Sequence, residues 1–453
     1  MMKKSIYRWL VVVCTLALAG LAMARAVQAA DNADAGSVSE SSGADSADEN
    51  DDNAPEEVMA EPTEEQPKST PLNPKWTAPN FAGQEKALGW TPEAFDVPKG
   101  MEERVQFWKD IYTKYTSDQG ILHDSKYVNL VYDSLDFADI GIRKDLNPRG
   151  QQKARRKRVE DAKKAVCARL KKLSSLKDGE GLEGEDARYW EMFSKVDEPK
   201  KFVEACKRGR IRFQLGQRDI FSKGIYFSGR YLRQMEEIFR QEGLPIELTR
   251  LPFVESSFNL RARSRVGASG IWQFMRSTAR LYVRMDGSAD ERNDPLRATH
   301  AAARKLRENF TMLKSWPLAI TAWNHGPAGV KRLTDKMGTT DIVELIDVRR
   351  GRFKFASASF FASFLAALDV ERNADKNFGV LEVMPELRGA EIQLVKSQSS
   401  KDFMKWFNGD VELAKLLNPH VQDLVWKGRM PLAGKHYLRV PLTLESEARS
   451  ELK

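Results

Sequence analysis

Glu255 stands in the segment LPFVESSF, residues 251–258, with Phe253, Val254 and Phe258 around it. A carboxyl group partly withheld from water has its neutral form favoured, so it can hold a proton near neutral pH and donate it. That makes Glu255 a candidate general acid. Glycosidases usually place a second carboxylate across the scissile bond, as nucleophile or base. The nearest candidates are Asp290 and Asp294 in DERNDP. Asp294-Pro295 has the form of a turn opening a helix, and Asp290 is spaced to pair locally with Arg292, so both are expected to be structural. The motif therefore supplies one acid. Gly267 and Gly270 suit a tight connection where side chains would obstruct a bound chain. His325, in AWNHG, is expected to be a locally hydrogen-bonded loop residue rather than a proton shuttle.

The stretch Leu244–Met275 resembles the catalytic motif of the soluble lytic transglycosylase domain, shared with goose-type lysozymes: Glu255-Ser256, a loop, then Gly270-Ile271-Trp272-Gln273. The resemblance implies Glu255 as the catalytic residue and Ser264, Gln273 and Met275 as substrate-cleft positions. Ala322-Trp323-Asn324-His325-Gly326 resembles the family's Ala-Tyr-Asn-Ala-Gly element, which implies that Trp323 and Asn324 lie near the acid. The implied substrate is the glycan strand of peptidoglycan. Glu255 would protonate the glycosidic oxygen between N-acetylmuramic acid and N-acetylglucosamine, then act as base on the muramoyl 6-hydroxyl to leave a 1,6-anhydro end. The family implies no metal and no organic cofactor, and names no protein partner. A hydrolytic muramidase and a non-catalytic wall-binding protein are the alternatives.

Two positions depart from the family pattern. Trp323 stands where the family has Tyr, and Phe361, in FASASFFASFLAA, stands at the Tyr of a later helix. Trp keeps one N–H donor, whereas Phe has none. Losing such a hydrogen bond would cost about 1 to 3 kcal/mol, or roughly ten- to a hundredfold in rate.

The elements that must position these residues are mostly helical. Val159, Ala162, Val166, Leu170 and Leu173 recur at helical spacing, as do Leu232, Met235 and Phe239, and again Ala302, Leu306, Phe310 and Leu313. The expected fold is mainly α: a lysozyme-like catalytic domain over residues 231–375, preceded by a helical region over 76–230. That region, with RVQFWKDIYTKY and RIRFQLGQRDIFSKG, resembles the one preceding the catalytic domain in transglycosylases of the membrane-bound D type. Its aromatics are assigned to the core. Residues 388–445 read as strand, helix, helix, strand, and resemble a LysM-type glycan-binding module in Leu416-Leu417-Asn418-Pro419 and Leu438-Arg439-Val440-Pro441. The usual Gly-Asp-Thr turn is not evident, and a structural appendage is the alternative.

Residues 1–29 have the form of a cleavable signal peptide, with Lys3, Lys4 and Arg8 before an apolar run. Residues 30–75 form an acidic linker too poor in apolar residues to fold. Without the 13 acids and 4 bases of the first 67 residues, the net charge of +8 becomes +17. Such a surface favours polyanions. Nucleic acid finds no binding signature to support it, and the export signal points to the periplasm and an anionic wall polymer. Cys167 and Cys206 could pair there, or remain as half-buried thiols.

Overall fold

The computed structural model describes residues 75–84, 86–348 and 353–452. The signal peptide and nearly all of the acidic linker lie outside them. Among the described residues the first helix is α1, Glu102–Thr113, followed by strands β1, Gln119–Asp124, and β2, Val131–Asp136. Next come a long helix α2, Pro148–Ser174, a short α3, Lys201–Ala205, and β3, Ile211–Leu215. The remaining helices used below are α4, Arg218–Ser228; α5, Leu232–Gln241; α6, Leu251–Glu255; α7, Arg276–Ala279; α8, Pro295–Leu313; α9, Trp316–His325; and α10, Phe355–Arg372. A pair of strands, β4, Ala390–Gln393, and β5, Tyr437–Val440, brackets short helices that include α11, Val411–Leu417. Among the described residues no helix is long and apolar enough to cross a membrane.

The mainly helical class is present, with one correction. The region before residue 230 contains a three-stranded antiparallel sheet in the order β2-β1-β3. RIRFQL is therefore strand, not helix. Its Ile211, Phe213 and Leu215 alternate with Arg212 and Gln214, which is the period of a pleated strand. β1 is buried along nearly its whole length, so its sequence, QGILHD, shows no such alternation.

Three apolar cores organise the described residues. The sheet and α2 share one, around Leu122, Tyr132, Leu170, Tyr189 and Phe193. Cys167 of α2 and Cys206, just after α3, are joined by a disulfide across this core, with Cα atoms 5.2 Å apart. A crosslink closing 39 residues of sequence restricts the unfolded chain by about 3–4 kcal/mol. The largest core runs from Phe95 to Val383 and joins α1 and α4 to the helices that follow residue 230. The start of the catalytic segment is thus no boundary in the packing. α10 passes through this core and is apolar on nearly every side, as a helix buried all round must be. The third core, Ala390 to Ala448, belongs to the C-terminal segment but takes in Ala289 from the catalytic segment.

Candidate active site

α6 is short and ends at Glu255. The backbone amides of Ser256 and Phe258 both donate to the Pro252 carbonyl, at 3.0 and 3.3 Å, closing the helix in a tight turn. Ser257 and Phe258 then adopt left-handed backbone, with φ of 48° and 58°. For a bulky residue such as Phe this conformation is unfavourable, and it persists only where the surroundings enforce it. The surroundings here are aromatic. Phe258 meets Phe253 edge-on at 4.7 Å, and Phe253 stacks on Phe221 of α4 at 4.9 Å. Gly224 lets α4 approach the turn itself, because a Cβ there would sit 2.9 Å from the Ser257 carbonyl oxygen. Glu255 is half-buried at the end of this wall.

The wall also contains a polar group that sequence reasoning left in the core. Tyr112 of α1 is 1% exposed. Burial raises its ionisation above the ordinary phenol range despite a hydrogen bond with Ser363, and the Glu255 carboxylate, within electrostatic reach, raises it further. It is therefore a protonated phenol within electrostatic reach of the acid. Nothing in RVQFWKDIYTKY marks it as different from its aromatic neighbours; only the packing of α1 on α10 brings it there.

The loop 262–275 is tied to the end of α6. Ser256 Oγ donates to the Ile271 carbonyl at 2.9 Å and fastens the end of α6 to it. Gln273 has a φ of 46° and spends its amide nitrogen on the Gly270 and Ala262 carbonyls, at 2.8 and 3.2 Å. Ser264 Oγ accepts from the Ala268 amide at 2.9 Å, closing the loop's tip. Met275 is 39% exposed at its end. Gly270, with φ of 78°, lies so close to Arg292 that any Cβ would overlap the Arg292 carbonyl oxygen. The structure thus brings Glu255, Ser264, Gln273 and Met275 onto one connected unit, in which the polar groups of Ser264 and Gln273 shape the loop.

Trp323 packs its ring against Phe274 and Trp272, at 5.1 and 5.7 Å, and is half-buried. The Lys305 ammonium lies 5.9 Å from the same ring. Asn324 is exposed, and its Oδ1 accepts from Ser357 Oγ of α10 at 2.8 Å. His325 Nδ1 lies 3.2 Å from that hydroxyl. With its one proton given to Asn324, Ser357 must accept from His325. Phe361 differs from the expectation. It is fully buried and stacked near Phe364, with centroids 6.4 Å apart, so it belongs to the core and not to a solvent-facing cleft. The reason is the position of α10, which is enclosed on all sides.

The two carboxylates considered for a second catalytic role are committed elsewhere. Asp290 pairs with Arg292 at 2.7 Å, and Arg292 donates to the Gly267 and Phe274 carbonyls, at 2.7 and 3.0 Å, bracing the loop from behind. Asp294 caps α8 through the amides of Leu296 and Arg297. It also meets Arg439 of β5 at 3.1 Å and His420 at 3.4 Å. Burial works against its charge, but Arg439 and His420 outweigh burial and hold its carboxyl below the usual range.

The same bracing loop docks the C-terminal segment. The Asp290 amide donates to the His420 carbonyl, and the Gln422 amide to that of Ser288, each at 2.9 Å. His436 is fully buried between Glu291, 2.9 Å from Nδ1, and Asp286, 2.7 Å from Nε2. Two carboxylate acceptors require both ring nitrogens to donate. Burial opposes that charge, yet the hydrogen bonds His436 donates to Glu291 and Asp286 raise its ionisation above the ordinary value.

The family model for the transglycosylase SLT domain matches residues 236–346, which include Glu255, the loop and Trp323-Asn324. The membrane-bound lytic murein transglycosylase D of Escherichia coli strain K12 is 35% identical over 95 residues, covering 20% of this chain and 21% of that protein. The protein of the same name from Escherichia coli O6:H1, strain CFT073, gives the same figures. The chain thus spans about a fifth of the length of these relatives. Glu255 and its loop lie inside the matched segment, and on that ground the chain carries a transglycosylase SLT domain.

Proposed function

We propose that this chain is an exported lytic transglycosylase acting on peptidoglycan, with Glu255 as its single catalytic carboxylate. The observation that carries the proposal is the division of labour among the acids. Glu255 is half-buried at the end of an aromatic wall, on the helix end that Ser256 fastens to the loop, and Asp290 and Asp294, the acids weighed for a second role, brace the fold in ion pairs. One acid must then serve twice. As the neutral acid it protonates the glycosidic oxygen between N-acetylmuramic acid and N-acetylglucosamine, while the substrate's acetamido group stabilises the anomeric carbon. As the resulting carboxylate it takes the proton of the muramoyl 6-hydroxyl, whose oxygen closes the 1,6-anhydro ring. Protons balance over the cycle, and no water is consumed.

Tyr112 and Trp323 fit this scheme as groups beside the acid and the loop, and Ser264, Gln273 and Met275 as shapers of the cleft. The C-terminal segment, docked on the bracing loop, would act together with the catalytic segment rather than as a tethered module. The names of the E. coli relatives place them at the murein, which supports the cell envelope as the site of action here too.

The test is mass analysis of fragments released from purified sacculi by the wild type and by Glu255→Gln. Anhydro-muramoyl ends, lighter by one water than reducing ends, are expected from the wild type, and a loss of at least about a hundredfold from the variant. Reducing ends alone would instead establish a hydrolase. A variant with near wild-type turnover would show that Glu255 is not the acid.

A further inference from the structure

From Ser256 to Met285 the chain contains six arginines, at 261, 263, 265, 276, 280 and 284, and no acid, lysine or histidine in thirty residues. All six are exposed. Arg284 reaches Asp286 at 3.5 Å. Among the described residues, the guanidinium groups of Arg263, Arg265, Arg276 and Arg280 make no hydrogen bond or ion pair. The basic helix α2 is different, because there Lys157, Arg158, Lys163, Arg169 and Lys172 each meet a carboxylate.

The fold gathers these arginines around the loop that Ser256 fastens to the end of α6. Residues 261, 263 and 265 alternate outward while Ala262 turns in. Bridges of Arg263 to Ser269, and of Ser269 to Phe274, lay the two ends of the loop side by side. Arg276 and Arg280 are four residues apart at α7 and share a face. Val266, Met275 and Leu281 are exposed among them, at 52%, 39% and 76%. Like charge gathered on one surface, here the four guanidinium groups at 263, 265, 276 and 280, destabilises the folded surface unless a ligand neutralises it. Guanidinium groups present a planar fork that matches carboxylates and phosphates with two hydrogen bonds each.

In the intact strand proposed as substrate the peptide stem caps the muramoyl lactyl carboxyl as an amide, so the negative charge sits on the several carboxylates of the stem; removing the stem with an amidase leaves only one lactyl carboxylate per disaccharide. We infer that the arginine belt binds these stem carboxylates, and that the chain prefers stem-bearing strands over glycan stripped of its peptides. This inference rests on the proposed function for the identity of the polymer. It also explains why the charge is arginine throughout and why it rims the loop.

The test uses the full chain carrying Glu255→Gln, so that strands stay intact, in pelleting assays with sacculi bearing stems and with sacculi stripped by an amidase. Binding to stem-bearing sacculi should be at least tenfold tighter. Adding Arg263→Ala, Arg265→Ala, Arg276→Ala and Arg280→Ala should remove that difference while the thermal midpoint stays in place. A control with Lys153→Ala, Arg156→Ala, Lys164→Ala and Lys171→Ala in α2 lowers the net charge equally and should keep the difference. Equal binding to the two kinds of sacculi overturns the inference. So does an equal loss in the α2 control, or equally tight binding to a peptide-free phosphodiester wall polymer. Cleavage by the unmutated chain is scored separately. Stem-dependent binding without cleavage keeps the belt and removes the transglycosylase, and cleavage without stem preference does the reverse.

Discussion

Two sides of the Glu255 unit are held by different physics. Behind Phe253 the contacts are hydrocarbon: Phe221, Phe258 and Phe378 lie ring against ring with it or with one another, and Gly224 lets α4 close on the turn. Behind the loop the contacts are ionic: Asp290 with Arg292, Asp294 with Arg439, and His436 between Asp286 and Glu291. Apolar burial is non-directional and scales with the area removed from water. It can press a turn into left-handed backbone but does not respond to pH. Buried ion pairs contribute less net stability for their desolvation, yet they fix geometry and depend on protonation. The acid should therefore keep its position over a wide pH range, while the loop and the C-terminal segment behind it loosen together when the pairs lose charge.

The largest effect is expected on the apolar side. Phe253→Ala removes a fully buried ring and should lower unfolding free energy by about 3–5 kcal/mol. Urea midpoints should show nearly the same loss at pH 6 and pH 9. A loss that varies strongly with pH would mean that the two sides are not separable.

Next in size is His436→Ala, expected to cost about 3 kcal/mol at pH 6 because it leaves Glu291 buried without its partner. The sign follows from the raised ionisation of His436. Its contribution is complete below the unfolded histidine value of about 6.5 and fades as pH rises through the higher folded value. Asp286 acts in the opposite sense. Burial raises it, but the hydrogen bonds from Ser288 and His436 lower it well below the usual carboxylate range. Its contribution is present above the unfolded value of about 3.9 and is lost in stronger acid. The difference between wild type and His436→Ala should then shrink at pH 9, where the wild type has itself weakened. An undiminished difference at pH 9 would show that His436 works by packing.

The local parts of this arrangement were legible in the sequence and the long-range parts were not. Glu255-Ser256 and Gly270-Ile271-Trp272-Gln273 are short motifs, and Asp294-Pro295 announces the start of α8 by capping chemistry that any helix would use. His436 meets Glu291 across 145 positions of sequence, and no periodicity in either segment encodes that meeting. The two strands that open and close the C-terminal segment could be read, though three short helices and a 3-10 turn stand between them where two helices were expected; the docking of the segment could not, because its partners lie far away in the sequence. The sheet before residue 230 was missed because its central strand is buried on both faces and so lacks alternation, although RIRFQL, beside it, alternates.

A third, smaller effect concerns Phe361. The family pattern implies that a hydroxyl at this position would help catalysis, but the ring is fully buried in the core. Phe361→Tyr should cost about 1–3 kcal/mol by burying a hydroxyl in apolar surroundings, with no gain in turnover on sacculi. Faster turnover at unchanged stability would put Phe361 back at the cleft and require the apolar side to open during the reaction.

The smallest effect on stability, and the sharpest test of the comparison, comes from Tyr112→Phe. Tyr112 is a polar group of the apolar side that lies within electrostatic reach of Glu255. Removing its hydroxyl leaves the ring packing on Phe221 and costs about 0.5–1.5 kcal/mol, the worth of one hydrogen bond. Ser363 is not orphaned, because its Oγ still donates to the Phe360 carbonyl at 2.7 Å. If the phenol only fills space, turnover and its pH dependence should be unchanged. If it sets the protonation of Glu255, the midpoint of the pH–rate limb assigned to that acid should move, and turnover should fall by about three- to tenfold, since a general acid works best with its ionisation near the operating pH. The second outcome is expected, because a protonated dipole in a dry wall acts on a nearby carboxylate far more strongly than it would in water. Ser363→Ala separates the two roles: it should reproduce part of the shift by freeing the phenol to reorient, whereas a purely structural Tyr112 would make both variants silent in the pH profile.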